Sequence, residues 1–190
     1  MDGFLGGVIH IMLTYDSTGR PKLSVTIENL TPTLAVFVAA NSVIVDSNCA
    51  TLDTRNNYIV LDFDASTNES ICFDSIMPQQ YRGGNINVHI HYAMTSATSG
   101  DVDWSVKFDR VAASDLDIDS ESYSSAVTSL NNTVPSTSGQ IDIATISVSS
   151  GAEMDNTVAG DLYRMCITRG ATADTATGDA ELIAVEIREL

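Results

Sequence analysis

The stretch that decides the fold runs from Met77 to Val111 and contains INVHIHY, residues 86–92, followed after a short polar break by VDWSVKFD, residues 102–109. Apolar and polar residues alternate in both segments, and the apolar members are Ile86, Val88, Ile90, Tyr92, Val102, Trp104, Val106 and Phe108. Successive side chains of a strand point to opposite faces, so each segment predicts a strand with one apolar and one polar face.

We interpret the two segments as an antiparallel pair, joined through the turn residues 96–101, with one face buried and one face in solvent. The only tryptophan of the chain lies on the apolar side and is placed at the centre of the core. The predicted core anchors are Trp104, Phe108, Ile86, Val88 and Ile90.

The remaining sequence repeats short strand-like segments separated by turn residues, with no helical pattern of three turns. The further predicted strands are Ser42–Asp46, Tyr58–Phe63, Glu69–Ile76, Gln140–Val148, Asp161–Thr168 and Glu181–Arg188. Residues 47–57 are interpreted as a polar loop. Strands at this spacing favour an all-β sandwich or barrel, and a jelly roll ends its sheets without long open edges. We therefore predict an all-β antiparallel β-sandwich of jelly-roll type.

One predicted strand contains an irregularity. In Gln140–Val148, Ile141 and Ile143 share one parity, whereas Ile146 and Val148 share the other. Because a change of parity moves side chains to the opposite face, we expect a bulge or bend near Ala144 or Thr145.

The first forty residues differ from the rest. Residues 8–15 and 22–30 alternate as strands around the turn residues 16–21, which predicts a β-hairpin over residues 8–30. The apolar run 34–40 follows, as a short buried strand or one helical turn. The predicted domains are an N-terminal hairpin or arm, 1–40, and a jelly-roll β-sandwich, 41–190.

The charge balance excludes some partners. The chain has 25 Asp and Glu against 9 Lys and Arg, a formal net charge of −16. Such a field repels nucleic-acid phosphates and anionic membrane surfaces. No stretch approaches about 18 consecutive apolar residues, the length that crosses a membrane. We therefore expect no nucleic-acid partner and no membrane partner.

The three cysteines, Cys49, Cys72 and Cys166, show no CxxC spacing. Cys72 and Cys166 lie in strand-like segments and are interpreted as small apolar core residues. A disulfide between two of the three stays open at this point.

Several short sequence segments, taken together and in their order along the chain, resemble those of a known group of proteins. They are Phe73–Pro78 with Tyr81–Gly84, Ala97–Val102 with Trp104 and Phe108, Leu116–Asp119, Gly151–Asp155, Gly160–Arg164, Gly178–Leu182 and Val185–Glu189. As a set they resemble small proteins of tailed bacteriophages and prophages that are jelly-roll components of the virion. The resemblance covers about residues 42–190 and leaves residues 1–40 outside it.

The resemblance implies a structural virion protein, with no catalytic residue and no cofactor. The leading hypothesis is a capsid decoration (cement) protein on the capsid surface, a homo-oligomer, expected as a trimer, that contacts the major capsid protein or another virion protein. The hairpin 8–30 and the run 34–40 would then contact a sister subunit or the capsid. The alternative is a carbohydrate- or receptor-binding domain of a phage tail or fibre, with a surface glycan as its ligand.

Two groups of residues are weak candidates for metal binding. His89 and His91 lie two apart on one strand face and could bind Zn²⁺ with a third ligand such as His10 or an aspartate. Asp115, Asp117 and Asp119 space carboxylates as a calcium loop does, but the glycine and the final glutamate of such a loop are missing. The competing interpretations are a polar outer face for the histidines and an edge strand for the aspartates. We therefore assign no metal.

The sequence contains no G-x-S-x-G elbow, P-loop or dinucleotide fingerprint, so we predict that the protein is not an enzyme. Trp104 could stack on a sugar, but its parity with Val102 and Phe108 favours the core. Better candidates for exposed stacking are Tyr15, Tyr58, Tyr81 and Tyr123.

Overall fold

The structure of the protein is a computed structural model, and the residues that it describes are 8–15, 21–28, 32–42, 48–111 and 127–190. Side chains are described within residues 32–40, 42, 48–111 and 130–190. The chain divides into two compact units, Met1–Pro32 and Thr33–Leu190. Among the described residues, no helix is long and apolar enough to cross a membrane.

The first unit contains a β-hairpin. Strands β1 (Val8–Tyr15) and β2 (Pro21–Glu28) pair antiparallel along their whole length, from Val8 opposite Glu28 to Tyr15 opposite Pro21. The predicted N-terminal hairpin is therefore present. The turn 16–20 and the predicted extension to residue 30 lie outside the described residues.

The second unit is a sandwich of two antiparallel sheets. The strands of the six-stranded sheet are β3 (Thr33–Val38), β4 (Thr51–Arg55), β5 (Tyr58–Phe63), β7 (Ile86–Met94), β10 (Ile141–Val148) and β12 (Ala180–Glu189). They are ordered β10-β7-β12-β5-β4, and β3 pairs with β12 beyond the end of β5.

The strands of the four-stranded sheet are β6 (Glu69–Ile76), β8 (Asp101–Val111), β9 (Val127–Thr133) and β11 (Leu162–Arg169). Their order is β6-β11-β8-β9. Two short 3₁₀ turns, Ala39–Asn41 and Ala152–Met154, complete the described regular structure. The all-β jelly-roll sandwich predicted from the alternating pattern is confirmed.

The core lies between the inner faces of the two sheets. Trp104 is centred there, with its ring 5.2 Å from that of Phe63 and 5.4 Å from that of Tyr92, both on the opposite sheet. The predicted anchors Trp104, Phe108, Ile86, Val88 and Ile90 all have 0% of their surface exposed. Their burial follows from the period of two, since every second residue of each strand points inward.

The predicted pairing of the segment 86–92 with the segment 102–109 is wrong. These segments lie in β7 and β8, which belong to different sheets. β7 pairs with β10 and β12, whereas β8 pairs with β9 and β11. The two apolar faces therefore meet across the sandwich instead of side by side. A short polar connection fits a hairpin and a sheet-to-sheet corner equally well, so the sequence did not distinguish them.

The predicted bulge near Ala144 or Thr145 is also wrong. β10 pairs with β7 in unbroken register from Ile141 to Val148. Ala144 points into the core with Ile146, while Ile141 and Ile143 lie on the outer face, 59% and 47% exposed. The sequence suggested a change of parity only because Ile141 and Ile143 were taken to point into the core like Ile146 and Val148.

The predicted domain boundary at residue 40 needs correction. β3 pairs with β12 in the sandwich, with Phe37 opposite Val185. Leu34 and Phe37 are each 6% exposed and belong to the core. The run 34–40 is therefore part of the sandwich, and the division falls between Pro32 and Thr33. Of the predicted strand Ser42–Asp46, residues 43–46 lie outside the described residues.

Cys72 and Cys166 form a disulfide that joins β6 to β11, where the two residues lie directly opposite each other. They alternate with core residues such as Phe73, so they lie on the outer face of the four-stranded sheet. Both side chains are nevertheless buried, as the sequence predicted, and the disulfide that the sequence left open joins them. On the same face, two residues away on each strand, Arg164 forms an ion pair with Asp74 at 2.6 Å.

Candidate functional site

The outer face of the six-stranded sheet carries exposed apolar side chains among polar ones. The exposed large apolar side chains on it are Val36, Val38, Tyr58, Ile141 and Ile143, from 46% to 71% exposed. Outer faces of antiparallel sheets are usually polar, and a cluster of exposed apolar residues often marks a contact surface. The β4–β5 hairpin adds a concave feature to this face.

The β4–β5 hairpin forms one wall of a pocket. Its two turn residues, Asn56 and Asn57, have positive φ angles of 48° and 69°. Asparagine tolerates this conformation, and two such residues form a tight turn whose twist suits a hairpin. Tyr58 follows the turn directly and is 71% exposed. Arg55, Asn56, Tyr58 and Val60 all line the pocket.

The other side of the pocket comes from three neighbouring strands. Glu181 of β12 lies opposite Ala93 of β7, and Ala93 lies opposite Ile141 of β10. The register of β12 against β7 shifts between Leu182 and Ala184. Ile183 is the extra residue of this bulge and also lines the pocket. A bulge redirects side chains, so the surface gains one more apolar group than a regular strand would supply.

A partly buried ion pair connects the two walls. Arg55 Nη1 donates hydrogen bonds to the carboxylate of Glu181 and, at 3.1 Å, to the carbonyl oxygen of Met94. The side chain of Glu181 is 9% exposed and that of Arg55 is 35% exposed. Gly139 lies against the guanidinium, where a Cβ would come 3.0 Å from Arg55 Nη2. The ion pair therefore holds the hairpin against the sheet, and a glycine leaves space for it.

The resulting pocket is open on one side and has a volume of about 240 Å³. Its walls are mainly apolar, from Tyr58, Val60, Ile141 and Ile183, with polar atoms concentrated at the ion pair. Ligand pockets combine apolar walls with a few fixed polar groups in this way. Such a site can hold a small molecule that has one apolar face and several hydroxyl groups.

Two further acidic residues lie near Glu181 on the neighbouring strands. Asp62 of β5 lies opposite Glu181, and Asp53 lies on the neighbouring strand β4. Burial, followed by the charges of Asp179 and Glu181, raises the pKa of Asp62 from 3.8 to about 6. The carboxylate is thus largely ionised at pH 7, in a neighbourhood that already carries negative charge.

The predicted histidine pair is on the outer face of β7, outside the pocket. His89 lies between Thr145 and Glu186 on the neighbouring strands, and its Nδ1 is 2.9 Å from Thr145 Oγ1. Burial lowers the pKa of His89. His91 lies between Ile143 and Ala184, neither of which can bind a metal.

No group of three or more potential ligands among the described residues is placed to hold a metal ion. The carboxylates Asp115, Asp117 and Asp119 lie outside the described residues. The side chain of His10, the suggested third ligand, also lies outside them.

The tyrosines considered for stacking on a sugar differ in solvent exposure. Tyr58 is exposed beside the pocket, whereas Tyr81 is 6% exposed and donates a 2.7 Å hydrogen bond to the carbonyl oxygen of Gly84. The side chains of Tyr15 and Tyr123 lie outside the described residues. Tyr58 is therefore the stacking candidate whose position the structure supports.

Sequence reasoning missed most of this pocket. Residues 47–57 were interpreted as a polar loop, but they contain β4, and Asn56-Asn57 was the available signal for a hairpin turn. The Arg55–Glu181 pair joins residues 126 positions apart, for which the sequence carries no signal. Ile141 was predicted to be part of a strand but assigned to no site.

The chain matches no protein-family model and no curated protein. Its sandwich is similar to a family 35 carbohydrate-binding module from Clostridium thermocellum, with 11% identity, a TM-score of 0.50, and coverage of 80% of this chain and 95% of that one.

Weaker matches include the CBM22-1 xylan-binding domain of Paenibacillus barcinonensis Xyn10C, with 9% identity, a TM-score of 0.47, and coverage of 84% and 95%. Another is an isomalto-dextranase from Arthrobacter globiformis, with 15% identity, a TM-score of 0.42, and coverage of 97% of this chain and 30% of that one. At these identities the module from Clostridium thermocellum establishes a shared sandwich fold and nothing finer.

Proposed function

We propose that this protein is a non-catalytic glycan-binding domain and that a sugar binds in the pocket between the β4–β5 hairpin and the outer face of the six-stranded sheet. The observation that carries the proposal is Tyr58, an aromatic residue 71% exposed at an apolar pocket with a partly buried ion pair. An exposed aromatic ring at the edge of an apolar pocket offers a flat apolar face and a hydroxyl group that a ligand can cover.

The chemistry of a pyranose suits these walls. Its axial C–H groups form an apolar face that can stack on Tyr58, and its hydroxyl groups can both donate and accept hydrogen bonds. Glu181 offers acceptor oxygens and Arg55 offers donors, and hydrogen bonds to charged groups are stronger than those between neutral groups. The ion pair also fixes both groups before a ligand arrives, which lowers the entropy cost of binding.

The fold is compatible with this role, because a carbohydrate-binding module has the same sandwich architecture. The proposal also agrees with the alternative drawn from the sequence, a carbohydrate- or receptor-binding domain of a phage tail or fibre. Membership in a virion remains a prediction.

A glycan array followed by calorimetry tests the proposal. We expect the protein to bind at least one glycan class, and Tyr58→Ala to weaken that binding at least about tenfold, as loss of a central aromatic contact does. Ile76→Ala is the matched control, since Ile76 is 62% exposed on the other sheet. Absence of any bound glycan, or equal affinity of wild type and Tyr58→Ala, would refute the proposal.

Capsid decoration, the leading hypothesis from the sequence, also stays a prediction. Nothing in the part of the chain that the structure describes favours it over glycan binding. Copy number per particle distinguishes the two: a decoration protein is present in many copies, whereas a tail or fibre domain is present in few copies. The predicted trimer can be checked in the same preparation by light scattering.

A further inference from the structure

The charge inside the pocket restricts which sugars fit. Arg55 supplies the cationic group of the pocket lining, and Glu181 already neutralises it. The Met94 carbonyl oxygen accepts a further hydrogen bond from the same nitrogen, Nη1. A ligand carboxylate entering the pocket would therefore compete with the carboxylate of Glu181 for this guanidinium.

The surroundings add to this repulsion. Asp62 lies directly opposite Glu181 in the β5–β12 register, and Asp53 lies opposite Val60 on the next strand. Asp62 Oδ1 is buried and has no hydrogen-bond partner among the described residues. Like charges at short distance in a partly buried site repel strongly, whereas hydroxyl groups meet no such penalty.

We propose that the pocket accepts uncharged sugars and rejects uronates, and that Glu181, paired with Arg55, is the residue that sets this specificity. The inference rests on the proposed function and deepens it by naming the substrate class. Glu181 acts by occupying the guanidinium that would otherwise bind a ligand carboxylate, because arginine and carboxylate form strong, directional pairs.

The test uses two matched pairs of ligands, methyl β-glucoside with methyl β-glucuronide and methyl β-galactoside with methyl β-galacturonide. The members of each pair differ only at C6, where a hydroxymethyl group replaces a carboxylate. Titration at pH 7, followed by NMR of the protein amides, gives the affinity ratio within each pair. We expect the wild type to bind the neutral member at least about tenfold more tightly.

Glu181→Gln should reduce this ratio at least about tenfold, because the amide keeps the shape of the side chain while releasing the charge of Arg55. Asp62→Asn is a second variant. Because Asp62 does not line the pocket, we expect this substitution to change the affinity ratio in the same direction as Glu181→Gln and by a smaller factor. Asp74→Asn is the control, since it removes the carboxylate of an arginine pair on the other sheet. It should leave the ratio unchanged.

The outcomes separate the two proposals. Equal or tighter binding of the uronate by the wild type, or an unchanged ratio in Glu181→Gln, would overturn the specificity inference while leaving a glycan-binding pocket in place. Failure of every ligand to titrate, together with an empty glycan array, would overturn the proposed function and the inference with it.

Discussion

Trp104 is the residue that most directly links the two sheets. It belongs to β8, is fully buried, and contacts aromatic rings of β5 and β7 on the opposite sheet. Truncation would leave a large cavity between the sheets. We therefore expect Trp104→Ala to lower the free energy of unfolding by about 3–5 kcal/mol, measured by urea denaturation.

Ile143→Ala provides the control for this measurement. Ile143 is 47% exposed on the outer face, so its truncation should change stability by less than about 0.5 kcal/mol. A loss below about 1 kcal/mol for Trp104→Ala would contradict the placement of this residue at the centre of the core.

Asp62 makes the protein less stable as the pH rises. Its pKa in the folded protein is about 6 against an ordinary value of 3.8, because burial and the neighbouring acids disfavour the charged form. Between these values the folded state holds a proton that the unfolded state has lost, so stability falls as the pH increases through this window.

Asp62→Asn should remove this dependence. Relative to wild type, the variant should gain stability from pH 3.8 to about 6 and keep a constant advantage above that range. Thermal unfolding at a series of pH values measures the difference. A difference that does not change with pH would show that Asp62 titrates normally.

For single residues, the sequence predicted correctly which core side chains are buried, but it did not predict which residues line the pocket. Alternation alone placed Trp104 and Phe108 on an inward face, because the period of a strand depends only on local geometry. The Arg55–Glu181 pair depends on how distant strands are ordered in the sheet, and that order is not encoded in local patterns. Tyr58 was named as a stacking candidate, but only the hairpin geometry distinguishes it from Tyr81.

Among the elements, β12 organises the six-stranded sheet. It pairs with β7 on one side and with β5 and then β3 on the other. This succession of partners leaves the β4–β5 hairpin paired with β12 only through residues 61–63, and the hairpin tip beyond them lines the pocket. The bulge at Ile183 lies in the same part of β12.

The disulfide between β6 and β11 should contribute strongly to stability. It closes a loop with a sequence separation of 94, and cross-links of this length stabilise by about 4 kcal/mol, mainly by restricting the unfolded chain. We expect Cys72→Ala/Cys166→Ala to lose roughly that amount in urea denaturation under oxidising conditions.

Reductant supplies the control for the disulfide. It should destabilise the wild type and leave the double variant unchanged, because only the wild type has a bond to reduce. Equal stability of the two proteins without reductant would contradict a formed disulfide.

The elements themselves were predicted with mixed success, for physical reasons. β5 and β6 have the predicted bounds, since turn residues flank alternating segments at both ends. The partners of β7 and β8 were wrong because a hairpin and a sheet-crossing connection share the same turn chemistry. β4 was missed because its sequence, TLDTR, has only one large apolar residue.

The whole molecule comprises the sandwich and an N-terminal hairpin. A hairpin of two strands is at best marginally stable alone in water, because it cannot bury enough apolar area. The sequence predicted that residues 1–40 contribute to a contact between copies of the chain, and since residues 33–38 pair within the sandwich we narrow that prediction to residues 1–32. Deleting them should abolish the oligomer and leave a folded sandwich, as measured by light scattering and circular dichroism.

The deletion must keep Thr33, because β3 pairs with β12 and contributes Leu34 and Phe37 to the core. A variant that lacks residues 1–40 therefore serves as a contrast and should be destabilised. An oligomer that survives the loss of residues 1–32, or a sandwich that unfolds without them, would contradict the prediction.

The central claim is that a glycan binds on the outer face of the six-stranded sheet, beside Tyr58. The most direct test is NMR mapping of the backbone amides during titration with a glycan that the array identifies. The account predicts that the largest shifts cluster at residues 55–58, Ala93, 139–141 and 181–183, which line the pocket or flank its lining. Saturable shifts confined to the connections 95–100 and 170–179, with the pocket amides unmoved, would contradict it.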